Sequence, residues 1–248
     1  MRPSAGWYKN FFKNSFYNPA SPAAVKKAPD EARFVLKQLG LCRGEALLDL
    51  CCGPGRHAVE FAGKGLNVTG FDFSAEYLRE AAARAKKKKV SLRLVRGDMR
   101  ALKFREEFDA AVNLFTSFGY FLNFSDDLKT LKGAARALKP GGLFLIDIVN
   151  GECVRKGFVP RNWWDMGDHY HLEELELTRD GAFNTWTKIM KRTGKAQTKS
   201  FFSRLYTRER LGAALEKAGL KPLKFWGGFK GQPLSEDSIR LIVLAKKT

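Results

Sequence analysis

Between Glu45 and Asn150 short apolar runs alternate with amphipathic stretches. Ala46 to Leu50 reads as a buried strand, and Arg56 to Lys64 as a helix closed by Gly65. Asn67 to Phe71 is a second strand, after which Ser74 is a natural N-cap for a helix running to about Lys88. Ser91 to Arg96 is a third strand, followed by the turn at Gly97-Asp98, and Phe108 to Phe115 is a fourth. Asp126 to Leu138 is helical, Pro140-Gly141-Gly142 ends it, and Leu143 to Val149 is a fifth strand. Strands and helices in this alternation point to βα units on a parallel sheet.

After Asn150 the rhythm changes. Tyr170 to Thr178 and Phe183 to Met190 flank Arg179-Asp180-Gly181, a hairpin turn, and Lys199 to Tyr206 adds another strand. Thr207 caps a helix that ends near Gly219, and Lys221 to Gly227 and Ile239 to Ala245 read as the last strands of the core sheet. The expected fold is therefore α/β, a doubly wound, mostly parallel seven-stranded sheet with an antiparallel β insertion forming a lid. On this division residues 1–44 are an N-terminal aromatic and helical cap, 45–150 and 206–248 the core, and 151–205 the lid. Ligands of such sheets sit at the strand carboxyl ends.

Composition narrows the class without choosing a partner. A chain of 248 residues fits one domain carrying an insertion. The formal charge of +18 divides as 25 basic against 15 acidic residues up to Asn150 and 19 against 11 beyond it. An excess spread this evenly fits a basic, solvated surface, and leaves open a nucleic-acid partner or an acidic substrate. No apolar stretch approaches the roughly 20 residues of a membrane span, and Met1 to Phe16 has no apolar signal core, so no membrane association and a cytoplasmic location are expected. Cys42, Cys51, Cys52 and Cys153 have neither metal-ligand nor disulfide-framework spacing, which fits reduced thiols.

The loop Asp49-Leu50-Cys51-Cys52-Gly53-Pro54-Gly55 carries the most chemistry. A strand running through Gly53-x-Gly55 into a helix lets the backbone approach a ligand and aims free N–H groups at it. Asp72, at the end of the second strand, is placed to accept hydrogen bonds from two ribose hydroxyls. These features alone admit any nucleoside ligand. The dinucleotide pattern of three glycines is only partly met, since Ala58 stands where the third belongs.

The ordered set Asp49, Gly53, Gly55, Asp72, Gly97-Asp98 and Pro140-Gly141-Gly142 resembles the class I S-adenosylmethionine-dependent methyltransferases, over roughly Glu45 to Asn150 and more weakly from Leu205 onward. That resemblance implies a Rossmann-like methyltransferase fold, S-adenosylmethionine as cofactor and methyl transfer as the reaction. It implies that Asp49 is a cofactor-binding residue, that Gly53 and Gly55 pass close to the methionine portion, that Asp72 holds the ribose, that Phe73 packs on adenine, and that Asp98 with Met99 faces the adenine amino group. Asn113 and Leu114, running on to Phe115, would line the space near the sulfonium. Cys51 departs from the family by standing where a further glycine is frequent, which stiffens the loop.

The acceptor side is less legible. Methyl transfer from a sulfonium is an in-line displacement in which positioning contributes most, and a base is needed only where the nucleophile starts protonated. Candidate surroundings are the segment Trp7 to Phe12, the loop Thr116 to Tyr120, and the insertion with Trp163, Trp164, His169, Tyr170 and His171. Tyr8, Tyr120, His169 and His171 are the candidate catalytic groups, the histidines sharing one face of a strand. No third ligand accompanies the histidine pair, so no metal is expected. Trp163 and Trp164 are read as packing residues, Arg204 and Arg240 as surface ion-pair partners, and His57 as architectural. A small-molecule acceptor is the leading expectation. The alternatives are an RNA methyltransferase, favoured by the charge, and an inactive nucleoside-binding module.

Overall fold

The computed structural model describes residues 2–4, 6–12 and 16–248. Met1, Ala5 and residues 13–15, which belong to the expected cap, lie outside the described residues. Helix α1 (Tyr8–Phe11) is a single aromatic turn. Helix α2 (Pro22–Leu39) starts where the Ser21 hydroxyl accepts the Ala24 N–H, with Pro22 in its first turn, and stops at the left-handed Gly40.

The core then follows the sequence pattern. Strands β1 (Ala46–Leu50), β2 (Asn67–Asp72), β3 (Arg93–Arg96), β4 (Phe108–Asn113) and β5 (Leu138–Val149) alternate with α3 (Ala58–Gly63), α4 (Ala75–Lys88) and α5 (Phe124–Ala137). Boundaries move inward by two residues at the starts of α3 and β3 and at the end of β4. Between β3 and β4 only a 3-10 turn (Met99–Ala101) forms. Pro140-Gly141-Gly142 is an irregularity inside β5 instead of a turn before it: the β5 partner of Phe108 is Leu138, whereas that of Ala110 is Leu143.

After β5 come α6 (Gly151–Lys156), β6 (Arg161–Asp165), β7 (His169–Leu177), β8 (Gly181–Met190) and β9 (Ala196–Arg204). Helix α7 (Arg208–Glu216), N-capped by Thr207, leads to β10 (Leu220–Trp226) and β11 (Arg240–Lys247). The main sheet has the order β10-β11-β5-β4-β1-β2-β3; β11 runs antiparallel to its two neighbours, and the pairs from β5 to β3 are parallel. Strands β6 to β9 form a separate antiparallel sheet in sequential order. Helix α6 and strand β6 carry no alternating pattern and lie outside the elements expected from sequence. Among the described residues no helix is long and apolar enough to cross a membrane.

Each face of the main sheet has its own apolar layer. Phe34, Val35 and Phe61 cover one face; Leu131, Leu211 and Leu215 cover the other. A third cluster of Trp7, Tyr8, Phe11, Phe16 and Phe121 joins the N-terminal segment to Trp186 and Phe201 of the second sheet.

Three expectations about the later segment fail. Trp163 and Trp164 are not packed: they are 64% and 41% exposed, because β6 is an edge strand all of whose residues face solvent. Arg204 is buried, its Nε donating to Asp127 Oδ2 at 2.7 Å beside the Tyr206 hydroxyl. Arg240 pairs with the fully buried Asp147 at 2.7 Å. These guanidiniums are structural ties within the fold and not surface partners, since carboxylates as deeply buried as Asp127 and Asp147 demand a cation.

Candidate active site

A cleft enclosing about 930 Å³, its open mouth included, lies at the carboxyl ends of β1, β2, β3 and β4. Strand order diverges there, β1 passing to β2 on one side and to β4 on the other. A parallel sheet leaves its crevice at this place.

The floor is the loop after β1. Asp49 is 2% exposed and its Oδ2 has no partner. Burial, opposed by Arg56 and reinforced by Asp72, pushes its carboxyl up to about 7. An orphaned buried acceptor costs roughly 1–3 kcal/mol unless a ligand supplies the donor. Cys51 takes the left-handed conformation with φ +64°, where glycine is usual, and its Sγ lies 3.4 Å from Met99 Sδ. Gly53 lines the cleft. Gly55 does not: a Cβ there would stand 2.8 Å from the Ala81 Cβ, so this glycine seats the loop on α4 instead of facing a ligand.

Asp72 ends β2 and lines the cleft. Its Oδ2 accepts the Gly53 N–H at 2.9 Å and its Oδ1 the Ser74 N–H at 2.8 Å, which leaves a lone pair on each oxygen. Burial pushes its carboxyl up to about 6, with the backbone N–H groups of Ser74, Gly53 and Phe73 acting against it. Phe73, Met99 and Leu114 also line the cleft. Gly97 brings the third strand's turn close: a Cβ would lie 2.5 Å from the Phe71 ring. Asp98 lines the cleft but is engaged by Arg100 at 2.6 Å, which holds its carboxyl below the usual range. Asn113 sits behind the wall, 1% exposed, its amide donating to Leu50 O at 3.0 Å, and so is not a lining residue.

The roof comes from the N-terminus. Tyr8, Phe12, Tyr17 and Pro19 close over Tyr120 and Phe121. Trp7 anchors them, donating Nε1–H to Tyr120 O at 3.2 Å and meeting the Tyr120 ring edge-on at 5.3 Å. Arg100 latches the same segment from below, donating to the Tyr8 hydroxyl at 2.9 Å and to Asp126 at 3.1 Å. On the other side Lys199 of β9 donates to Phe11 O at 3.2 Å. The second sheet thus braces the roof without lining the cleft.

That placement corrects the histidine expectation. His169 and His171 do share a strand, but neither lines the cleft. His169 is paired with Asp168 at 2.6 Å, and the His171 ring meets Trp186 at 5.0 Å. Their sheet packs behind the roof, through Trp186 and Phe201 against the N-terminal cluster. Tyr8 and Tyr120 do line the cleft, and burial raises both phenols.

Sequence reasoning missed Tyr17, Tyr77 and Arg56 in the walls and undervalued His57. Arg56 Nη1 donates to Ala24 O at 3.2 Å and Glu31 Oε2 at 2.7 Å, and His57 Nε2 shares that carboxylate oxygen at 2.7 Å. Glu31 is held low, at about 2: its hydrogen bonds to His57 and Arg56 outweigh its own desolvation. Burial lowers His57, leaving it neutral at pH 7. No short-range pattern announces these contacts, because Glu31 lies 25 residues before Arg56. Tyr77 had a local signal, since it is the first-turn residue whose N–H the Ser74 cap accepts, 3.2 Å away.

Residues 47–142 match a family of methyltransferase domains. A putative methyltransferase of Geobacillus sp. (strain WCH70) is 31% identical over 249 aligned residues, covering 98% of each chain. Glycine/sarcosine N-methyltransferase of Aphanothece halophytica is 30% identical over 159 residues, 62% of this chain and 60% of the relative. The crystal structure of an S-adenosylmethionine-dependent methyltransferase from Clostridium acetobutylicum ATCC 824 superimposes with a TM-score of 0.80 at 22% identity, over 97% of this chain and 98% of the other.

Proposed function

The chain belongs to the class I S-adenosylmethionine-dependent methyltransferases, and on that premise we propose that it methylates a small molecule bound under the aromatic roof of the cleft. The residues present fit the cofactor. The orphaned Asp49 Oδ2 matches an ammonium group, and the free lone pairs of Asp72 match ribose hydroxyls. Phe73 and Met99 offer flat apolar surface to a base, and Gly97 keeps that wall thin. Asp98, already tied to Arg100, supports adenine recognition through the shape of its turn more than through a free carboxylate. When bound, the cofactor supplies a methyl group on a sulfonium whose departure leaves a neutral thioether.

The chain's own contribution is positional. Leu114, Phe115 and Ser117 follow β4 and set the wall where an acceptor meets the donor. Phe115 and Thr116 are both left-handed, with φ +61° and +56°. Two such non-glycine residues in succession are strained and persist only where neighbours over-determine them. Asp147 does so: its Oδ2 accepts the Phe115 N–H at 2.8 Å and its main-chain O the Thr116 N–H at 2.9 Å. Tyr8, Phe12 and Tyr120 exclude water above this wall. An acceptor amine with a free lone pair then needs orientation and no base.

The observation that carries the small-acceptor reading is the roof. Tyr8, Phe12, Tyr17 and Tyr120 make an aromatic chamber in place of the open basic groove a polymer requires. The relative named for glycine and sarcosine supports acceptors of that size. Calorimetry with S-adenosylhomocysteine tests the assignment. Wild type should bind it, and Asp72→Ala should lose about 1.5–3 kcal/mol, roughly 10- to 100-fold, for the lost charge-assisted hydrogen bonds. No wild-type binding, or an unaltered Asp72→Ala, would sink it.

A further inference from the structure

Strand β6 is an edge of the second sheet and pairs only with β7 on its inner side. Leu175 N–H donates to Pro160 O, and Met166 N–H donates to His169 O. Pro160, Asn162, Trp164 and Met166 therefore turn their main-chain polar groups toward β7. By the alternation of an antiparallel pair, the N–H and C=O groups of Arg161, Trp163 and Asp165 point off the edge. Trp163 N–H accordingly bonds to the side chain of its neighbour, Asn162 Oδ1, at 2.9 Å.

The other sheet edges are blunted. Strand β3 is short and has an arginine at each end, and β10 carries Lys221, Pro222 and Lys224. Against β9 lies the N-terminal segment, with Phe11 on Phe201 and Lys199 donating to Phe11 O. Charges, prolines and covering segments of this kind discourage the addition of a strand. Strand β6 has neither lysine nor proline, and it shows Trp163 and Trp164 to solvent with exposed Met166 just beyond.

The run Arg161-Asn162-Trp163-Trp164-Asp165 is also complementary to its own reverse. When a second copy pairs antiparallel about Trp163, Trp163 meets its counterpart, and Arg161 stands directly opposite Asp165 at both ends. These three residues share one face and are the ones whose main-chain groups point off the edge. One register thus completes the ladder and sets opposite charges across it. A slip of one residue would oppose outward groups to inward ones, and a slip of two would leave Arg161 opposite Gly167 or Trp163. The strip is neutral on a chain of formal charge +18, so two copies repel least there.

We propose that β6 is the interface of a twofold homodimer, in which two copies join their second sheets into one of eight strands, four from each. The roofs of the two clefts are then braced by a shared sheet: Trp164 meets His171, His171 meets Trp186, and Trp186 meets Phe11.

Sedimentation velocity on the full chain tests this with wild type, Arg161→Asp and Asp165→Arg. Both side chains are exposed, so far-UV circular dichroism should show the same fold in all three. Wild type should sediment as a dimer at about 50 μM. Each exchange sets like charges opposite one another at both ends and should weaken the dimer roughly tenfold or more. An equimolar mixture of the two variants sets aspartates against arginines again and should recover the dimer. A monomeric wild type at that concentration, a dimer that withstands either exchange, or a mixture that stays monomeric overturns the proposal. Open-ended growth of wild type also overturns it, because a twofold contact closes on itself.

Discussion

Strands β1, β2 and β4 are buried almost end to end and reach the cleft through their terminal residues, so that Asp49 and Asp72 are fixed by backbone geometry. The four-stranded sheet is only half buried, its edge strand β6 is exposed throughout, and none of its described residues lines the cleft. It acts one layer removed, through Phe201, Trp186 and Lys199 against the N-terminal segment. The proposed donor side is thus built from strand ends that sequence spacing sets. The proposed acceptor side is built from side chains that meet across as many as 113 residues, as Trp7 and Tyr120 do.

The largest expected effect tests whether the two parts form one unit. Asp127 of α5 is fully buried and holds Arg204 of β9 at 2.7 Å and the Tyr206 hydroxyl at 2.9 Å, while Arg204 also donates to Phe121 O and Leu122 O beneath the roof. Asp127→Ala strands a buried guanidinium and should cost about 3–5 kcal/mol in denaturant unfolding. Removing both charges, as in Asp127→Leu with Arg204→Met, should recover most of that loss. A cost below about 1 kcal/mol for Asp127→Ala would mean that the second sheet is attached by its aromatic contacts alone.

A middle-sized effect concerns charge on the floor. Asp49, pushed up to about 7, is largely protonated at pH 6 and largely ionised at pH 8. A ligand ammonium binds only the ionised form, so affinity for S-adenosylhomocysteine should rise about tenfold between those pH values and level off above. Asp49→Asn should flatten the profile, and a profile already flat in wild type would separate Asp49 from the ligand. The ligand-free fold carries the opposite trend. A raised carboxyl contributes stability below its unfolded value near 3.8, and that contribution is lost as pH climbs through about 7. Glu31, held at about 2, works the other way: its contribution is present above its unfolded value near 4.5 and fades as pH falls through 2.

This contrast also explains what was legible. The order of strands, the loop Gly53 to Gly55 and the position of Asp72 follow from local periodicity and turn chemistry, which a single sequence carries. The roles of Gly55, Asn113 and Asp98 were blurred because family spacing places a residue at a site without saying which way its side chain turns. The Ala81 contact, the Leu50 carbonyl and Arg100 decide that. His169 and His171 were drawn in by their chemistry, yet whether their sheet meets the cleft or the roof behind it depends on tertiary docking that no alternation of polar and apolar residues encodes. Arg56 stood beside the recognised loop and was passed over, since its partner Glu31 sits on a helix outside the motif.

The smallest effect returns to the loop itself. Cys51 occupies φ +64° where glycine would rest without strain, at a cost of about 1–2 kcal/mol for a residue with a Cβ. Its main-chain N–H donates to Phe71 O at 2.7 Å, so the conformation is held by the backbone and survives loss of the side chain. Cys51→Gly removes the strain, adds the roughly 0.5–1 kcal/mol entropic cost of a glycine and gives up the contact with Met99. The net should be a gain of up to about 1 kcal/mol in denaturant unfolding, with affinity for S-adenosylhomocysteine unchanged within twofold. A loss above 1 kcal/mol would show that the thiol and Met99 pack the floor more strongly than the turn is strained. The donor side would then depend on side-chain fit as the acceptor side does, and the distinction between the two would narrow.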